Sequence, residues 1–392
     1  MRQSNSTDAD TRLYEHASLR EPHAVTGWPL KPLTRLDREG ARGCVADLAT
    51  VGLLSRQAAF VVLACADLID PQTFLAQLDI TIPGAAGLGE ALRTRSARDL
   101  IGAVFSVPGR AVPAGYLRAL LRVSEGREGA PGRDAFDEPG TYRRLWQIFT
   151  TEPQSPKAAA LRYCGRLCSS IIQAVDLIDP VLLHPEILKH LTTAERTAKA
   201  NALLKLLRSS LSSATDQALT QALRASLGGG SALESFARRV IEQADVFPPP
   251  PLPSSVDVTP LTSAAALIAF GVEMGNCARS KIGEVLLGLS YLYRVEHTAK
   301  DGTLTVIAVD LAPLNNGQWM IREIKGVKNR RPDSSVLRAV VRRLHALGAI
   351  SQGRPANDFT KALSSLLGVY RWDMMDLSDL EDDEPTEFEE AA

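Results

Sequence analysis

Apolar residues from Ala41 to about Ala244 recur mostly at helical spacing. Leu161, Cys164, Cys168, Ile171, Ile172 and Val175 fall on one stripe, and Leu203, Leu206, Leu207 and Leu211 on another. Thr141, after Pro139-Gly140, predicts an N-cap for a helix over Tyr142–Phe149. Strand alternation is scarce here, and Leu78-Asp-Ile-Thr-Ile82 is its one candidate. The period changes after Phe247-Pro-Pro-Pro-Pro-Leu-Pro253. A helix from Thr262 or Ser263 to about Cys277 comes first. Leu289, Tyr291, Tyr293 and Val295 then alternate with more polar residues, Asp301-Gly302 signals a hairpin turn, and Leu304, Val306 and Ala308 return. Asn316-Gly317 marks a second tight turn before a strand over Trp319–Ile324. A helix over Ser334–Leu347 follows, with Leu337, Val340, Val341, Leu344 and Leu347 as its apolar face.

This pattern predicts an α+β multidomain protein. A mainly α-helical region over 41–245 precedes a small α+β module over 261–372, built on a three-stranded antiparallel meander. Consecutive prolines exclude helix and favour polyproline II, so 246–260 reads as a semi-rigid linker and a domain boundary. Residues 1–40 are polar, with Pro22, Pro29 and Pro32, and read as an arm or irregular cover. One internal echo is present: Asp67-Leu-Ile-Asp-Pro71 recurs as Asp176-Leu-Ile-Asp-Pro180. Each copy follows an apolar helical stretch. The echo is either a duplicated helical hairpin or a shared helix-stop signal.

Composition narrows the class. A chain of 392 residues exceeds what one core usually supports, and 45% apolar residues exclude wholesale disorder. Five irregularly spaced cysteines do not make a disulfide framework. The start lacks the apolar core of a signal peptide, and the longest apolar run, Ala58–Ala66, is too short to span a bilayer. The reading is a cytoplasmic protein with no membrane association. Net charge is −1 overall but segregated. Residues 261–372 carry fifteen Lys/Arg against eight Asp/Glu, or +7, and residues 373–392 carry ten Asp/Glu and no Lys/Arg, or −10. A basic module followed by a disordered acidic tail is a pattern that suits nucleic-acid contact.

The candidate chemistry lies in the basic module. Lys325, Lys328, Arg330 and Arg331 form a basic loop, and Arg338, Arg342 and His345 line one side of the next helix. Together they are placed to track a phosphate backbone, with a solvated helix face as the plain alternative. Strand parity puts Glu323 and Lys325 on one face with Trp319 and Ile321, opposite Met320 and Ile324. Both faces mix apolar and charged residues, so the core face stays open. Cys277 is a candidate nucleophile. However, no histidine adjoins it and no helix N-terminus supports a thiolate there, so a packed structural thiol is expected.

Other patterns carry less. Cys164, Cys168, His184 and His190 mimic zinc-ligand spacing, but both cysteines sit on the apolar stripe, so no metal is assigned. Gly84-Ala-Ala-Gly-Leu-Gly89 lacks the Lys-Ser/Thr of a phosphate loop. Gly228-Gly-Gly230 before Ser231 reads as a helix break followed by a cap. No cofactor is assigned.

Met274 and Cys277 after the leader helix, the hairpin, Glu323 on its strand, and Lys325-Gly326-x-x-Asn329 occur in an order that resembles the PcfJ-like family of bacterial mobile-element proteins. The resemblance covers roughly residues 258–340. It departs from the family pattern at Asn276, where a histidine is usual. It implies plasmid or conjugation biology and partners that are nucleic acid or proteins of a mobile-element apparatus. Three functions stay open: a non-catalytic binding protein, an enzyme with its site at Cys277, Glu323, Lys325 and Asn329, and a helical structural adaptor.

Overall fold

A computed structural model describes residues 23–126, 133–151, 153–351 and 361–369. The greater part of the expected N-terminal arm and the whole acidic tail lie outside these residues. Contacts divide the chain into two units. The first comprises residues up to Asn201 together with Thr215–Ser231, and the second comprises Ala202–Ala214 together with Ala232 onward. The division lies inside the helix Ala194–Ser210, after Ala214 and after Ser231. The α+β class holds: helices make up the first unit, and the second adds one four-stranded antiparallel sheet.

Aromatic residues centre the first unit. Tyr142 meets Phe136 edge-on at 4.8 Å and Trp28 at 6.2 Å, and its hydroxyl donates to Gln57 Oε1 at 3.0 Å. Tyr142 lies on the helix Gly140–Thr150, whose next two residues, Arg143 and Arg144, serve the two echoed segments. Arg143 Nη1 donates to Asp67 at 3.0 Å, and Arg144 Nε donates to Asp176 at 2.6 Å, with Lys157 adding a third contact at 2.9 Å. The second aspartate of each copy caps the next helical turn. Asp70 accepts from Thr73 N–H at 2.8 Å, Asp179 accepts from Val181 N–H at 3.0 Å, and a proline opens each turn. Leu68 and Leu177 are both exposed. The two copies are thus used alike as an arginine anchor and a cap in five residues, but only the second ends a helix: Ser169–Leu177 stops within it, while Leu53–Ala64 stops before the first.

Several expectations change. Residues Leu30–Glu39 form a helix with Leu33 fully buried, so the arm reading does not hold there. Leu78–Ile82 is not a strand. Leu78 closes the helix Pro71–Gln77, and Ile80 N–H bonds back to Leu75, because the helix end claims these backbone groups first. The apolar stripe from Leu161 to Val175 is two helices, Pro156–Tyr163 and Ser169–Leu177. Between them the chain extends, and Leu167 exchanges backbone bonds of 2.9 Å with Arg122 and Ser124. Thr141 is buried inside a helix that begins at Gly140, and Ser231 does not cap Leu233–Ile241.

In the second unit the sheet order is β1 (Val258–Pro260), β2 (Tyr291–Thr298), β3 (Leu304–Pro313), β4 (Trp319–Lys325), with every neighbour antiparallel. The expected meander is β2–β4, and β1 adds a short fourth strand. The proline run lies against this sheet. The Tyr293 hydroxyl donates to Leu252 carbonyl at 2.9 Å and accepts from its N–H at 2.7 Å, and Leu252 is buried. Ser263, one of the two expected caps, accepts from Ala266 N–H at 3.1 Å and starts the helix Ala264–Met274. Gly275, at φ +58°, ends it.

One extra residue interrupts β4. Asp310 pairs with Glu323 and Leu311 with Ile321, which leaves Arg322 as a bulge. After the sheet, the helix Ser334–Ala346 packs against β2 with Val340 and Leu344 buried. The chain then returns to the outer edge of β4. Ile350 N–H donates to Trp319 carbonyl at 3.0 Å, and Ile321 N–H donates to Ile350 carbonyl at 2.8 Å. Among the described residues, no helix is long and apolar enough to cross a membrane.

Candidate nucleic-acid interface

The strand β4 delivers Lys325 to the start of a closed loop. Gly326 N–H donates to Arg330 carbonyl at 2.7 Å, and Arg330 N–H donates to Val327 carbonyl at 3.2 Å. Lys328 and Asn329 both take left-handed backbone conformations, at φ +57° and +58°. Side chains pay steric energy there, so neighbouring contacts must hold the loop. One neighbour is the end of the helix Ala264–Met274: a Cβ built on Gly275 would lie 3.3 Å from Lys328 Cγ. The turn that carries Cys277 and the loop that carries Asn329 are therefore adjacent, as two segments far apart in sequence.

Arg330 and Arg331 leave the loop into solvent. Arg338 and Arg342 follow on the exposed side of the helix Ser334–Ala346, four residues apart and therefore on one face. Pairing separates these cations from others nearby. Arg279 bonds Glu242 at 2.7 Å, Lys281 bonds Glu284 at 3.0 Å, Arg294 bonds Glu273 at 2.9 Å, and Arg343 bonds Asp257. None of Lys325, Lys328, Arg330, Arg331, Arg338 and Arg342 has an ion-pair partner among the described residues. Lys325 is half-buried and the other five are exposed. His345 is also exposed, within 2.6 Å of Ser351 Oγ.

The bulge settles the face of Glu323 and Lys325. Simple alternation places them with Ile321, but the extra residue moves them to the side of Met320, opposite Asp310 and Ala308 in register. Glu323 is exposed at that edge. Cys277 is exposed as well, while Cys44, Cys65, Cys164 and Cys168 are buried, so the expected packed thiol is corrected. Burial pushes the thiols of Cys44, Cys65 and Cys164 up to about 11. No hydrogen bond or ion pair joins Cys277, Glu323, Lys325 and Asn329 to one another among the described residues. A nucleophile without a bonded base lacks the usual means of activation.

Sequence reasoning missed one cluster. Asp310 is buried in β3 and accepts from Ser290 Oγ at 2.6 Å and from Arg322 Nε at 3.0 Å. Arg322 also donates to Glu284 at 2.7 Å, and Lys281 binds Glu284 as well. Burial works to lower the Arg322 guanidinium, but Asp310 and Glu284 outweigh it and hold the charge firmly. Two acids balance two bases, and both oxygens of Asp310 are engaged, so the cluster reads as a clamp between the Ile282–Leu286 helix and the bulge. The available signal was Asp310 itself, a lone charge in the apolar run Val306–Ala312.

Among the described residues, no group of three or more His, Cys, Asp or Glu is placed to hold a metal ion. His184 Nδ1 accepts from Glu186 N–H at 3.1 Å, which commits that nitrogen to a helix start. Comparison with family models, curated proteins and solved structures yields no match to this chain.

Proposed function

We propose that the second unit is a non-catalytic nucleic-acid-binding module of a cytoplasmic, PcfJ-like, mobile-element-associated protein. Its contacts are Lys325, Lys328, Arg330, Arg331, Arg338 and Arg342. One observation carries this reading: these six cations occupy the end of β4, the loop and the helix after it without ion-pair partners among the described residues, while Arg279, Lys281, Arg294, Arg322 and Arg343 are paired. A partnered surface charge is already neutralised. An unpartnered row retains its full attraction for phosphates. The loop and the exposed helix face carry no Phe, Tyr or Trp for base stacking, which favours backbone contact over sequence reading.

The test is a titration of labelled single- and double-stranded DNA and RNA across a salt series. Binding through all six cations to a duplex gives a log–log salt slope of about −5. The double variant Arg338→Ala/Arg342→Ala is expected to flatten it by about 2 units. Absence of binding to every probe at low salt overturns the proposal. The enzyme reading at Cys277, Glu323, Lys325 and Asn329 has less behind it, because these four groups share no bond.

A further inference from the structure

We propose that the acidic segment 373–392 is a built-in occupant of the cationic loop and helix, and that it competes there with nucleic acid; the competition, though not the docking, rests on the function proposed above. Three observations converge. The first is charge: the segment carries ten Asp/Glu and no Lys/Arg, and it follows a surface with six cations that have no ion-pair partner among the described residues. Arg238 lies closer to the departure point, beside Gly368, but stands apart from the row. Other nearby cations are already committed. Arg279 and Lys281 are each bound to a glutamate, and Arg322 is held by two carboxylates.

The second is the point of departure. The helix Lys361–Leu367 is seated through buried Leu366 and Leu367. Val369, the last described residue, lies against the Ile282–Leu286 helix, with its Cγ2 3.0 Å from where a Cβ on Gly283 would be. From Gly283 the chain runs back through Lys281 and Cys277 to Gly275, which abuts Lys328. Eight residues separate Gly283 from Gly275, so the distance between them is at most about 30 Å.

The third is reach. Residues 370–392 span up to about 80 Å when extended. The acidic stretch therefore covers the gap with length to spare. Tethering sets its local concentration in the millimolar range, where weak contacts between exposed charges suffice for occupancy. Such contacts are screened over about 10 Å at 0.1 M salt, so occupancy falls as salt rises.

The experiment uses the full chain. One protein is wild type, and the other has the ten carboxylates of 373–392 changed to Asn or Gln. Zero-length carbodiimide coupling joins carboxylates to contacting lysine amines, and mass spectrometry locates the links. In the wild type at low salt, tail links are expected on Lys328 and Lys325 in preference to Lys300, an exposed lysine at the tip of the β2–β3 hairpin, and are expected to vanish at about 1 M salt. Mixing isotope-labelled and unlabelled protein is expected to show the links within one chain. The neutralised protein is expected to bind a labelled oligonucleotide about tenfold more tightly than wild type at low salt and equally at high salt. Links spread evenly over exposed lysines, concentrated on Lys300, or formed between chains overturn the docking. Equal oligonucleotide affinity of the two proteins at low salt overturns the competition. Tail links to Lys328 with no oligonucleotide bound by either protein would preserve the docking and refute the nucleic-acid reading.

Discussion

Two glycines set the turns of the sheet. Gly302 and Gly317 take φ +86° and +81° and close two loops of the same design. In each, the glycine N–H bonds back three residues, to Ala299 or to Leu314, at 3.0 Å. An aspartate or asparagine before it accepts from the residue after it: Asp301 from Thr303 and Asn316 from Gln318, both at 3.0 Å. Space is open around both glycines, so a side chain there would meet only backbone strain. We expect Gly317→Val to destabilise the protein by about 1–2 kcal/mol in denaturant unfolding. An unchanged midpoint would show that the turn tolerates the strain. The dipeptides Asp-Gly and Asn-Gly made both turns legible in the sequence. Their length was not: each loop holds three residues between its last bonded pair, Ala299 with Thr303 and Leu314 with Gln318. A dipeptide specifies where a left-handed residue falls, but not which flanking pair closes the ladder.

Elements were legible to the extent that their period was local. The helix Ser334–Ala346 and strand β2 follow their apolar spacing closely, but in β3 it is Ile307, Val309 and Leu311, and not Leu304, Val306 and Ala308, that pair with Val295, Tyr293 and Tyr291 on the buried face. Parity failed in β4 because Arg322 bulges to reach Asp310 and Glu284, which lie 12 and 38 residues away in sequence. Such a clamp leaves no periodic trace. The same limit hid the interface. Its cations were visible as charges, but their lack of partners was not, since pairs such as Arg279–Glu242 join residues 37 apart. In the first unit, the helix Gly140–Thr150 ties the two echoed segments through adjacent arginines. The Arg144 hydrogen bond, helped by Lys157, holds the Asp176 carboxyl below the usual range. A lowered carboxylate stabilises fully above its unfolded value of about 3.9, and the benefit fades as pH falls through the folded value. We therefore expect Asp176→Asn to cost about 0.5–1 kcal/mol at pH 7, since all three side chains are partly solvated. Wild type and variant should converge below about pH 3. A gap that persists there would assign the loss to packing instead of charge.

For the whole molecule, the sheet has two outer strands, and an outer strand is where another chain can pair. At β1 the outward groups are largely engaged: Val258 exchanges bonds with Ser255 at 2.9 and 3.3 Å, and Pro260 has no N–H. At β4 the return of Ile350 covers Trp319 and Ile321, and the uncovered half carries the bulge with Glu323 and Lys325. Short length, a covering segment, a bulge and charge are each known barriers to edge-to-edge association. The segment after the Ser334–Ala346 helix thus protects colloidal stability as well as fold. Ile350→Pro removes the N–H that donates to Trp319. The expected outcome is concentration-dependent aggregation, visible in light scattering at temperatures where circular dichroism still reports folded protein. A variant that stays monodisperse would show that the bulge and charges suffice. On this view the two backbone hydrogen bonds of Ile350 help to keep the β4 edge from becoming a template for polymerisation.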